Sequence, residues 1–165
     1  MRKLFGLLFV LSLLGGCKKS AGPATAQSND TLELQYQKMP AKLPLSPEST
    51  PEAEAWDEFM ALGKSMDVLY RATNNEDLAL AVDDLIEKEK ELAGGQYPES
   101  FDVLPVRSRQ LVLRTYLYRL KASILENQST TQPTVEMLEA YNALRKQLNL
   151  IIKTQLDRKL ILDAN

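Results

Sequence analysis

Cys17 is the only cysteine in a chain of 165 residues, and a thiolate is the strongest nucleophile a side chain offers. It follows Leu13-Leu14-Gly15-Gly16, at the end of an uncharged eleven-residue run from Leu4 to Leu14 behind Arg2 and Lys3. The chain contains no histidine. That removes Ser-His and Cys-His nucleophile activation, histidine-ligated zinc, the carboxylate-plus-histidine di-iron site of helix bundles and haem attachment through Cys-x-x-Cys-His. The sulfur is read either as the site of a lipid anchor or as an ordinary buried or free thiol. A second constellation lies further on, where Arg107, Arg114 and Lys121 recur at seven-residue steps with Tyr118 among them. On a helix these residues form a basic strip with one flat aromatic face, suited to an anionic lipid headgroup, a glycan phosphate or an acidic partner. The alternative is that the strip pairs with an acidic helix of the same protein.

Other candidate chemistry is thinner. Lys64-Ser65 and the pair Lys121 and Ser123 hold the residue types of a Ser-Lys hydrolase, but neither lies on a recognisable nucleophile turn. Asp83-Asp84 sits in a dense charged face, where solvation accounts for it better than acid-base work. Glu87, Lys88, Glu89, Lys90 and Glu91 read as an exposed mixed-charge run. Gly94-Gly95 lacks the spaced glycines and Lys-Ser/Thr of a phosphate loop. Neither an enzyme activity, a metal nor a cofactor is expected.

The first segment has the layout of a secretory signal, with a basic start, an apolar middle and small residues before the cysteine. As a helix, eleven residues cover roughly 16 Å, about half of a ~30 Å hydrocarbon core, so the run is too short to span. Leu14-Gly15-Gly16-Cys17 resembles the lipobox of bacterial lipoproteins: an apolar residue, two small ones and the cysteine. The resemblance implies that residues 1–16 are a cleaved signal peptide, that the Cys17 thiol receives a diacylglyceryl group and that the new amine is acylated. Two or more acyl chains hold a protein stably on a bilayer, where one chain binds only marginally. Lys18, in place of aspartate, resembles lipoproteins sent to the outer membrane under the aspartate retention rule, and no acidic cluster comes after it to suggest export to the surface. A periplasm-facing protein is the expectation.

The elements that must position these residues begin after the cysteine. From Lys18 to Thr50 small and polar residues give way to Pro40, Pro44, Pro47 and Pro51, a composition that reads as a tether. Within it Leu32, Leu34 and Tyr36 alternate with polar residues at the two-residue period of a strand, consistent with an extended arm lying on the body or with a short disordered segment. Four helices come next. Ser49-Thr50-Pro51-Glu52 is a start signal, and Trp56, Phe59, Met60, Gly63, Met66, Leu69 and Tyr70 give one apolar face running to about Thr73. Asn75 caps a second helix with Leu78, Val82, Leu85, Ile86 and Leu92, ending at Gly94-Gly95. A connection that buries Phe101 leads to Pro105, which opens a third. There Val106, Leu113, Leu117, Leu120 and Ile124 hold one strip, while Leu111, Val112 and Leu125 lie off it and predict neighbours on several sides. Asn127 to Thr131 ends it, and Thr131 or Thr134 with Pro133 starts a fourth, in which Met137, Tyr141, Leu144, Leu148, Ile151, Ile152, Leu156 and Leu160 extend over some seven turns. Residues beyond Gln155 overhang the shorter helices, to pack on a second copy or to fold back on the arm at Leu32 to Tyr36.

Short links between amphipathic helices predict an all-α protein, an antiparallel four-helix bundle over residues 51–165, preceded by a signal peptide at 1–16 and a lipidated linker at 17–50. The helix layout is similar to that of periplasmic four-helix b-type cytochromes, whose haem is held by a methionine and a histidine; Met60 or Met66 would be the first ligand, and the second does not exist here. The methionines are therefore read as core fillers. Charge supports side-by-side helices, since residues 45–100 hold 14 acids against 4 bases and residues 101–165 hold 6 against 10. The whole chain carries a formal charge of −2, a poor match for nucleic acid, which demands a basic surface that displaces counterions. The expected role is a membrane-anchored interaction or accessory module with an envelope protein as partner. The alternatives are an anionic-ligand binder using the basic strip and a chaperone-like binder of unfolded clients.

Overall fold

A computed structural model describes residues 34–163. Cys17, the expected signal peptide at residues 1–16 and Leu32 lie outside the described residues. The protein is all-helical, and there is no strand among the described residues. A 3-10 turn at Tyr36–Lys38 precedes five helices: α1 (Thr50–Glu54), α2 (Asp57–Leu69), α3 (Asn75–Gly94), α4 (Leu104–Leu125) and α5 (Thr131–Asp163). Consecutive long helices pack on one another, α2 on α3, α3 on α4 and α4 on α5. None of the described helices is long and apolar enough to cross a membrane.

The first expected helix is broken in two. Trp56 takes an extended conformation (φ −97°, ψ 91°) between α1 and α2, and its ring is buried against Phe59, Tyr97 and Phe101 at centroid distances of 5.5, 4.7 and 6.0 Å. Burying so large an apolar surface outweighs the one or two helical hydrogen bonds lost at the break. The cap of α3 falls one residue earlier than expected: the Asn74 side chain accepts from the Asp77 amide at 2.8 Å, satisfying a donor the helix itself leaves unpaired. At the far end of α3, Gly95 is extended (φ −79°, ψ 179°) and does not make the left-handed cap that glycine favours. That geometry appears instead after α4, where Asn127 has φ 50°. There Gln128 N–H donates to the Ser123 carbonyl and Asn127 N–H to the Ile124 carbonyl, the paired closure of a Schellman motif.

The core runs through all four long helices, from Leu62 and Met66 of α2 to Leu85, Leu117, Leu120, Leu144 and Leu148. Met66 is buried among these side chains, as core filling requires, whereas Met60 is only part-buried and stands outside the core. Leu111, Val112 and Leu125 are exposed, contrary to the expectation of neighbours on several sides of α4. The core needs only the strip through Val106, Leu113, Leu117 and Leu120, and no other described element reaches the rest.

Residues 34–49 are fastened to the body, so the linker expected through residue 50 is not free chain here. Leu34 is buried, and Gln35 N–H donates to Thr131 Oγ1 at 2.9 Å. Asn142 accepts from Leu43 N–H at 2.8 Å and donates to the Ala41 carbonyl at 2.9 Å. Seven residues on, Asn149 repeats the pattern with Ser46 N–H at 2.8 Å and the Pro44 carbonyl at 3.1 Å. Arg145, between them, donates to the Leu43 carbonyl. A side-chain amide carries both a donor and an acceptor, so each asparagine satisfies two backbone groups of an extended arm that has no strand partner. The arm runs along α5 in the same direction, from Thr131 to Asn149. The fold-back of the overhang onto the described part of that arm, residues 34–36, is therefore excluded: Leu160 lies 29 residues along α5 from Thr131, about 44 Å away.

Candidate functional site

The heptad register that builds the α3–α4 contact has two polar interruptions. In that register the buried positions of α3 are Leu78, Val82, Leu85, Glu89 and Leu92, with Ala81 buried beside them; those of α4 are Val106, Gln110, Leu113, Leu117 and Leu120, with Ser123 buried beyond them. Glu89 is 1% exposed. It does not belong to an exposed mixed-charge run, because Leu85 and Leu92 on either side of it fix that face of α3 towards the core. Of the run, Glu87, Lys90 and Glu91 are exposed, and Lys88 pairs with Glu91 at 2.9 Å.

Burial of a carboxylate is costly unless its oxygens are paired. Arg114 Nε donates to both Glu89 oxygens, at 3.0 and 2.8 Å, and Gln110 Nε2 donates to Oε1 at 2.8 Å. Gln110 in turn accepts from the buried Tyr97 hydroxyl. The ion pair with Glu89 pushes Arg114 above its already high pKa, and burial pushes the Tyr97 phenol up. Arg107 closes the outer edge of the network: its guanidinium lies 4.2 Å from the Tyr97 ring centre and pairs with Asp102 at 2.6 Å. A chain of polar contacts thus runs from the Trp56 aromatic cluster, through Tyr97, Gln110 and Glu89, to the surface at Arg114.

Each cation of the expected basic strip already holds a carboxylate. Arg107 holds Asp102, Arg114 holds Glu89 and Lys121 holds Asp83 at 2.6 Å. Tyr118 is 46% exposed beside them. The acids of α3 supply two of the three partners, and the α3–α4 connection supplies the third. An anionic ligand on this face has to compete with these carboxylates. The Ser-Lys candidates do not form dyads: Lys64 is exposed while Ser65 is buried, and Ser123 donates back to the Arg119 carbonyl at 3.3 Å while Lys121 faces Asp83. Among the described residues no group of three or more Cys, Asp or Glu could hold a metal ion.

Reading the sequence for charge alone missed Glu89 and Gln110. The signal was a polar residue standing in an apolar register: Glu89 fills the gap between Leu85 and Leu92, and Gln110 the gap between Val106 and Leu113. No family model matches the chain, and comparison with curated proteins and with solved structures returned no match.

Proposed function

We propose that this protein is a lipid-anchored bacterial envelope lipoprotein, held on the periplasmic face of the outer membrane and acting as a non-catalytic interaction module. Its body is read as an antiparallel four-helix bundle of α2 to α5, a reading supported by short connections and by the packing of each long helix on the next. The anchor reading rests on Leu14-Gly15-Gly16-Cys17 behind a short apolar run. One structural observation carries the functional reading: the arm at residues 41–46 is bolted to the longest helix through Asn142, Arg145 and Asn149. A lipid on Cys17 then has residues 18–33 between it and a body whose arm is held on α5 at several points, which suits a protein kept near the membrane for a partner. The paired state of Arg107, Arg114 and Lys121 favours a structural role for the strip over anion binding.

Metabolic labelling with a radioactive fatty acid tests the anchor. The full chain is expected to incorporate label and to sediment with membranes, and Cys17→Ser to lose both. Equal labelling of the two, or recovery of the unaltered chain in the aqueous fraction with a free thiol, would overturn it. Crosslinking in the living envelope tests the role, and a single stable protein partner is the expected outcome; many unrelated clients would support a chaperone-like protein instead.

A further inference from the structure

The register that buries α5 stops at Ile152. Met137, Tyr141, Leu144, Leu148 and Ile152 face the core, but the next positions of that register are Gln155 and Lys159, both exposed. Apolar residues reappear on a different face. Leu150 and Leu160 are 53% and 69% exposed, and with Lys153 and Asp157 they follow one another at steps of three, four and three residues, the spacing of a single seam along a helix. These four line one open groove of about 500 Å³, bordered by Leu156 and by Glu48 of the arm. Lys153 and Asp157 are exposed, and neither makes an ion pair within the described residues.

The order of these residues is self-complementary. Leu150 and Leu160 are centred on Gln155, and so are Lys153 and Asp157. Two copies of the helix laid antiparallel about that point set Leu150 against the partner's Leu160, and Lys153 against the partner's Asp157, each contact occurring twice. A two-fold axis requires this reciprocity, in which residue i meets j and j meets i. A parallel arrangement instead sets lysine on lysine and aspartate on aspartate.

We propose that the C-terminal part of α5 is a homodimer interface, in which a second copy of this chain packs antiparallel along Leu150, Lys153, Asp157 and Leu160. The seam is short, about 15 Å from Leu150 to Leu160, and its contact is smaller than the ~800 Å² per partner of a standard stable interface. The dimer is accordingly weak in dilute solution and strengthens wherever copies are concentrated. The inference uses only described residues and stands whether or not Cys17 is acylated.

Two measurements on the full chain test it, both in a Cys17→Ser background that frees the molecule of its own thiol. Chains carrying Leu150→Cys and chains carrying Leu160→Cys, distinguished by tags of different size, are mixed and oxidised. A disulfide between the two kinds of chain is expected to dominate over either like-with-like product. Predominant Leu150→Cys homodimers indicate parallel packing and overturn the proposal, as does the absence of any disulfide dimer. Sedimentation equilibrium supplies the second measurement, with concentration-dependent dimer expected. Lys153→Glu reverses two exposed pairs at once and weakens association about tenfold, and adding Asp157→Lys restores it. These surface substitutions leave the core intact, so a folded monomer at every concentration, or a double variant no tighter than the single, refutes the interface.

Discussion

Removing one partner of the Glu89–Arg114 pair at a time should have unequal effects, and the inequality follows from burial. Glu89 is 1% exposed, whereas the Arg114 side chain is 34% exposed. Arg114→Ala takes away the guanidinium whose Nε serves both carboxylate oxygens. It leaves a buried charge held by Gln110 alone. Loss of one partner of a fully buried pair costs about 3–5 kcal/mol; water reaching the vacated Arg114 side lowers this to about 2–3 kcal/mol. Glu89→Leu removes the buried charge itself. Its cost is the Gln110 amide left with an unpaired donor, about 1–3 kcal/mol, offset by about 1.5–3 kcal/mol from burying a leucine in the register between Leu85 and Leu92. Arg114 loses its partner too, but its part-exposed end can turn to water. Glu89→Leu is therefore expected within about 1 kcal/mol of the unaltered protein, and Arg114→Ala about 2 kcal/mol below it. The assay is urea denaturation followed by far-ultraviolet circular dichroism, with the slopes compared to establish that the unfolded state is unchanged. A Glu89→Leu variant less stable than Arg114→Ala would refute the reasoning, because it would make the carboxylate a net source of stability.

Other outcomes follow from single contacts. The Tyr70 hydroxyl is inaccessible and has no hydrogen-bond partner among the described residues, so Tyr70→Phe should raise thermal stability, by up to about 1 kcal/mol, and a lower melting temperature would contradict it. Burial pushes the Tyr70 pKa up to about 12 and raises those of Tyr97 and Tyr141. The folded state thus holds these protons more tightly than the unfolded chain; stability should be full below about pH 10 and fall as the pH rises towards about 12, a loss that Tyr70→Phe makes smaller in an alkaline titration. Replacing both Asn142 and Asn149 by Ala removes four hydrogen bonds to the arm, and proteolytic cleavage within residues 35–48 should become at least about tenfold faster while the helical signal stays unchanged. Leu117→Ala, which empties a fully buried position in α4, should cost about 3 kcal/mol in the same denaturation assay.

Local chemistry was enough to place α3, α4 and α5. Asparagines near residue 75, Pro105, Thr131 and the apolar periods between them place the helices, because caps, proline geometry and amphipathic spacing act within a few residues of the backbone they control. The pairing of acidic and basic flanks was also foreshadowed by the charge difference between the two halves. Long-range packing decided the rest. Trp56 breaks a helix that the apolar period alone would continue, since its ring finds Tyr97 and Phe101 some forty residues away. Glu89 is internal because leucines on both sides commit that face of α3 to the core, and it is tolerated there because Gln110 and Arg114 arrive from another helix. The arm is held because Asn142 and Asn149 meet backbone groups about a hundred residues earlier in the chain. In each case the deciding free energy belongs to a contact between distant residues, which only the tertiary structure brings together.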